Sequence, residues 1–154
     1  MEEPTHQPNQ EPHELKAPPL VFPGQRGHES AYRTAHDLLA RRAPVEALEV
    51  IEPALEQEPS NTGLRSLRAW AFLLRAQLGR AEEELASLVA ENPDDDWARH
   101  ALGRALERQA RLVEALPHLR LAAAMSGDPE HEVAVLRVER RLAETGQASY
   151  DDLT

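Results

Sequence analysis

Trp97, His100, Arg104 and Arg108 are the residues of this chain whose types and spacing point most clearly to recognition chemistry. The last three are spaced i, i+4, i+8, and Trp97 precedes His100 by three, so a helix carries all four on one stripe. Guanidinium forks hold carboxylates, and an indole offers a broad apolar surface with one N–H donor. That combination suits a binding surface for a ligand with acidic and apolar groups. The same residues admit a structural reading, in which Trp97 packs on the segment before it and the arginines are only solvated.

Nothing in the sequence assembles a catalytic centre. There is no GxSxG, no phosphate-binding Gly-rich loop and no HExxH. The seven histidines, His6, His13, His28, His36, His100, His118 and His131, include no i, i+4 pair of the kind that holds a metal on a helix. Cysteine is absent, which removes disulfides, thiol nucleophiles and Cys-based zinc sites. Acidic runs such as Glu82–Glu84 read as a solvated helix face. The expectation is a protein that is not an enzyme and has no metal or other cofactor.

The elements that position Trp97 and its neighbours follow from composition and periodicity. Hydrophobic residues make up 41% of the 154 but aromatics only 4%, so the core must be built from Ala, Leu and Val. The net charge of −10 disfavours nucleic acid and anionic membrane as partners. No apolar run reaches the roughly 20 residues that span a bilayer. The Pro-rich, acidic start lacks a signal-type apolar stretch, and a cytoplasmic location is the expectation.

From about residue 29 to 146 the chain reads as successive helices with an internal period. Pro59 and Pro93 are 34 residues apart. Counting back from each gives small residues in matched places: Ala35 and Ala69, then Ala47 and Ala81. A third unit in the same register supplies Gly103, Ala115 and Ala122, with Gly127 where the prolines stood. Small residues let two antiparallel helices approach closely, and a proline ends a helix by removing an N–H donor. A 34-residue period is that of a helix–turn–helix array. Pro53 and Pro117 fall inside second helices and are expected to bend or unpair them. "RAQLGRAEEEL" suggests a longer turn around Gln77–Gly79 than in the other units.

The sets Ala35/Ala47/Ala54/Pro59, Ala69/Ala81/Leu88/Pro93 and Gly103/Ala115/Ala122/Gly127 resemble the signature of the tetratricopeptide repeat (TPR) family. The usual early tryptophan is replaced by Ala31, Arg65 and Arg99, and Leu88 stands where repeat two would have alanine. The resemblance implies an all-α fold: a TPR helix-turn-helix solenoid of three repeats (28–61, 62–95 and 96–129) plus a C-terminal capping helix over 130–146. It further implies a concave groove lined by the first helix of each repeat, with Tyr32, His36 and Leu39, then Ser66, Trp70 and Leu73, then Trp97, His100, Arg104 and Arg108. Both tryptophans fall on that groove, although Trp70 reads equally as core. Tyr32, His36 and Leu67 occupy places where a chaperone carboxylate clamp has lysine or asparagine, so a standard clamp is not expected.

The segments outside the repeats read differently. Residues 1–27 hold six of the 12 prolines and no helical period, and are expected to be disordered. One apolar island, "APPLVFPG", interrupts them, and Leu20, Val21 and Phe22 are candidates to dock against Trp70 and Leu73. Asp128, Pro129 and Gly146 bracket the last helix as N-cap, first residue and stop. Val135, Leu136, Val138 and Leu142 form its apolar side, with Arg137, Arg140 and Arg141 facing elsewhere. Residues 147–154 read as a flexible tail. The functional expectation is a non-catalytic protein–protein interaction module, an adaptor or scaffold binding a peptide or protein segment in its groove, monomeric or weakly self-associating. The alternatives are a small client-specific chaperone and a structural oligomeriser.

Overall fold

The computed structural model describes residues 15–19 and 29–146. The second range is seven helices with no strand: α1 Glu29–Ala40, α2 Pro44–Gln57, α3 Thr62–Leu74, α4 Leu78–Glu91, α5 Asp96–Arg108, α6 Leu112–Ser126 and α7 Pro129–Thr145. Each helix packs on the next, and α1 also packs on α3. The three helix pairs α1/α2, α3/α4 and α5/α6 stack in order, and α7 closes the array.

The starts and stops repeat as the residues do. Asn61 and Asp95, 34 residues apart, accept hydrogen bonds from the backbone N–H of Leu64 and Ala98 at 3.0 and 2.9 Å. Asp128 caps α7 through the N–H of Glu130 at 2.9 Å, Pro129 opens that helix, and Gly146 ends it in the left-handed region. The turn inside each pair is three residues long in all three repeats, so no longer turn exists at Gln77–Gly79. Leu78 and Gly79 belong to the first turn of α4. Arg42, Ala76 and Ala110 take positive φ values of 60°, 55° and 60° at the same point of each turn. The N–H after each of them reaches back to close the helix end: Ala43 to Leu38, Gln77 to Phe72, Arg111 to Leu106.

The small residues lie at the helix contacts. Ala35, Ala47, Ala69, Ala81 and Ala115 are fully buried. A methyl on Gly103 would stand 2.6 Å from Cγ and Cδ2 of Leu119, so α5 and α6 meet where no side chain fits. Pro53 and Pro117 sit on the exposed side of α2 and α6, and both helices continue through them.

Charged side chains tie the repeats together more than the sequence suggested. Arg65, at the place of the missing tryptophan, is buried and bonds Glu84 and Ser87, both at 2.8 Å, as well as Glu91. Glu84 also takes Arg68, and Glu82 takes Arg111 and Gln109. Two of the three residues Glu82–Glu84 are therefore structural ion-pair partners rather than a solvated face. On α7 the buried residues are His131, Ala134, Val138 and Leu142, while Leu136 is exposed. Arg137 turns inward to Glu107 of α5 at 2.6 and 2.8 Å, which is why the apolar side of α7 is rotated from the expected one.

Candidate functional site

Residues 15–19, in the N-terminal leader that precedes the repeats, lie without regular secondary structure along the face formed by α1, α3 and α5, and that contact defines the site. The indole N–H of Trp97 donates to the carbonyl of Lys16 at 2.9 Å. The Tyr32 hydroxyl donates to the carbonyl of Pro19 at 3.3 Å. Both bonds grip main-chain oxygens, which every extended peptide possesses. The Lys16 ammonium reaches over to the start of α7, 3.2 Å from Asp128 and 3.5 Å from Glu130. Its hydrogen bond to Asp128 raises its pKa above the usual lysine value. Asp128 is held below the usual carboxylate range, first by the N–H of Glu130 and then by Lys16.

The two covered side chains of the segment are three residues apart. Pro18 is buried and Leu15 half-buried, whereas Lys16, Ala17 and Pro19 are exposed. Leu15 lines a cavity of about 270 Å³ with Trp70, Leu73, Leu74 and the arginines Arg42, Arg104 and Arg108. Pro18 and Pro19 line a second hollow of about 220 Å³ with Tyr32, Gly63, Ser66 and Trp97. Gly63 faces the Tyr32 ring so closely that a methyl there would come within 3.1 Å of it.

The expected groove residues divide into two groups. Tyr32, His36 and Trp70 form an aromatic row, with ring centroids 6.2 Å apart for the first pair and 5.8 Å for the second. Leu73 lies beside Trp70 on the wall of the Leu15 cavity. The second group does not form one exposed stripe. Trp97 is 6% exposed, with its N–H under the leader, and His100 is 5% exposed. His100 stacks on His131 of α7 with ring centroids 3.9 Å apart. Arg104 turns toward Glu107 at 3.2 Å, and Arg108 donates to the carbonyl of Leu73 at 2.8 Å. Of the four, only Arg108 is exposed. The expectation of one exposed surface fails because α7 and the leader cover part of this side of α5.

Burial pushes the His100 imidazole down to about 3, and the nearby His131, Arg104 and Arg137 push in the same direction against Asp128. Burial of the Glu107 carboxyl disfavours its charge, but the hydrogen bonds from Arg137 and the charges of Arg104 and Arg141 hold it ionised, below the usual range. Among the described residues no group of His, Asp and Glu is arranged to hold a metal, and no helix is long and apolar enough to cross a membrane.

Leu15, Lys16, Pro18, Asp128, Glu130 and His131 were not anticipated at this face. The one available signal was the "APPLVFPG" island, whose Pro18 and Pro19 do lie on the groove. Leu20, Val21 and Phe22, the residues expected to dock, lie outside the described residues.

Residues 38–106 match the model of the tetratricopeptide repeat family. The first TPR domain of the human RPAP3 protein, solved by NMR, superposes with a TM-score of 0.70 at 18% identity, covering 77% of this chain and 94% of that one. The crystal structure of the Sgt2 TPR domain from Aspergillus fumigatus gives 0.74 at 19% identity, covering 80% of this chain and 84% of that one. No curated protein matches the chain by sequence. TPR domains generally mediate protein–protein interaction and are generally non-catalytic. Residues 38–106 thus belong to the tetratricopeptide repeat family, and the helical array from α1 to α7 is a TPR solenoid.

Proposed function

We propose that this protein is a non-catalytic adaptor or scaffold whose concave face binds an extended segment of a partner protein. The observation that carries the reading is the seating of residues 15–19, with two main-chain carbonyls held by Trp97 and Tyr32. A face that grips main-chain oxygens and meets side chains three residues apart, Leu15 and Pro18, is suited to a peptide in extended or polyproline II conformation. Tyr32, His36, Trp70 and Leu73 supply the aromatic and apolar wall. Arg42, Arg104 and Arg108 around the first cavity suit a partner whose apolar anchor is accompanied by a carboxylate.

The test is binding of a synthetic peptide spanning residues 12–22 of this sequence to the full chain carrying Lys16→Glu and Pro18→Ser, which loosen its own segment. Saturable binding that quenches or shifts tryptophan fluorescence, and that weakens about tenfold with Trp97→Phe, is the expected result. Absence of binding at millimolar peptide, with helicity intact, would refute the reading.

A further inference from the structure

We propose that residues 15–19 are an intramolecular pseudo-ligand, and that a partner gains the groove by displacing them with a segment of the same register: an apolar residue, a basic residue, any residue, then proline. This rests on the reading of the concave face as a peptide-binding surface and adds to it the identity of the competing ligand and the pattern a partner must carry.

The register comes from what each side chain meets. Leu15 is half-buried and lines the cavity with Trp70 and Leu73. Lys16 bridges to Asp128 and Glu130 at the α7 N-terminus, the part of the site with the opposite charge. A carboxylate there would be repelled by the same pair. Ala17 is exposed and lines neither of the two hollows described, so that position is free. Pro18 is buried in the slot between Tyr32 and Trp97. Proline suits the slot because its backbone N–H is absent and no donor is stranded on burial. Of the two gripped carbonyls, that of Lys16 lies within this four-residue pattern and that of Pro19 follows it directly. Lys16 is the only lysine among the 17 basic residues of the chain.

Attachment within one molecule is sterically simple. The carbonyl of Pro19 is bonded to Tyr32, in the first turn of α1, and nine residues, 20–28, join Pro19 to Glu29. Nine residues reach at most about 30 Å, well beyond the separation needed. A tether of that length holds the segment at an effective concentration on the order of millimolar. If the free segment binds with a dissociation constant near 0.1 mM, the groove is about nine-tenths occupied, and a partner's apparent affinity falls roughly tenfold. The leader therefore sets a threshold that weak, off-register peptides do not pass.

The experiment compares two full-length chains, native and Leu15→Ser/Lys16→Glu/Pro18→Ser. Each is titrated with a fluorescein-labelled peptide spanning residues 12–22, and the Trp97 indole N–H resonance is followed by NMR. The proposal expects the altered leader to bind the peptide about tenfold more tightly than the native chain. It expects the Trp97 indole signal of the altered chain to move, and to return toward the native position on saturation. A labelled peptide with Lys16→Glu should bind the altered chain at least tenfold more weakly than the native-sequence peptide. Equal affinity of both chains, or an unmoved Trp97 resonance, overturns the pseudo-ligand while leaving peptide binding intact. No binding to either chain, with helicity preserved, refutes the groove itself. Equal binding of the Lys16→Glu peptide overturns the register. Sedimentation of the native chain as a dimer that the altered leader dissolves would overturn the intramolecular form of the device.

Discussion

His100 of α5 and His131 of α7 lie with their rings stacked, centroids 3.9 Å apart and planes 12° from parallel. His131 Nδ1 is 2.7 Å from the hydroxyl of Ser126, whereas His100 Nδ1 has no hydrogen-bond partner among the described residues. The closing helix is therefore docked on the third repeat through an imidazole pair in which one member is buried and neutral.

That arrangement has a signed pH dependence. The folded pKa of His100, about 3, lies below its ordinary value of 6.5, so the unfolded chain binds the extra proton first. The contribution to stability is complete above pH 6.5 and is lost as the pH falls toward 3, at up to about 1.4 kcal/mol per pH unit. Partial burial pulls the pKa of His118 in the same direction. The net charge of −10 acts oppositely, since acidification relieves self-repulsion. Urea melts at pH 7.5, 6.0 and 5.0 should show falling stability, and His100→Gln should flatten the trend. The same pH dependence in the native chain and in His100→Gln would disprove the assignment.

Glu107 holds α7 through Arg137 and lies near Arg104 and Arg141. It is 5% exposed. Glu107→Gln would leave buried guanidinium charge without its counter-ion, at a cost of about 3–5 kcal/mol. A melting temperature within two or three degrees of the native value would contradict this.

Close packing at the small residues predicts overfilling. Ala47→Leu and Gly103→Ala should each destabilise by about 1–3 kcal/mol, the second despite alanine's better helix propensity. Gly79 is the control, because a methyl placed there would meet no atom within 4 Å. Gly79→Ala should be neutral or stabilise by up to about 1 kcal/mol. Chemical denaturation of the three variants ranks them.

The left-handed turn residues predict the opposite sign for glycine. Ala76 and Ala110 adopt φ of 55° and 60°, where a Cβ is strained by about 1–2 kcal/mol. Glycine removes that strain and returns part of it as unfolded-state entropy. Ala76→Gly plus Ala110→Gly should therefore raise the melting temperature by several degrees. A decrease would show that the turns tolerate alanine without strain.

The 34-residue period, the small contact residues and the caps of α7 were legible in the sequence because each depends on local chain geometry. Ala47 must be small wherever two helices cross, and Asp128 caps a helix using its own neighbours. Gly79 misled the turn assignment because glycine is tolerated at a helix start with no side-chain contacts to satisfy. The burial of Trp97 and His100 was not legible. It depends on Lys16, 81 residues from Trp97 in sequence, and on the rotation of α7 that brings His131 and Arg137 inward. That rotation is settled by the buried carboxylate of Glu107, which looks in the sequence like any solvated glutamate.

The leader also has a mechanical meaning. Helical-repeat arrays behave as springs, because small rotations between neighbouring repeats add up to a change in overall curvature. Residues 16–19 tie Tyr32 on α1 to Trp97 on α5 and to Asp128 at the head of α7. The gripped carbonyls are three residue steps apart, with Ala17 and Pro18 between them, a reach of about 10 Å at most, so the segment is a short chord drawn across the arc. A spring with a chord fastened across it has a fixed opening, and releasing the chord frees its elastic range.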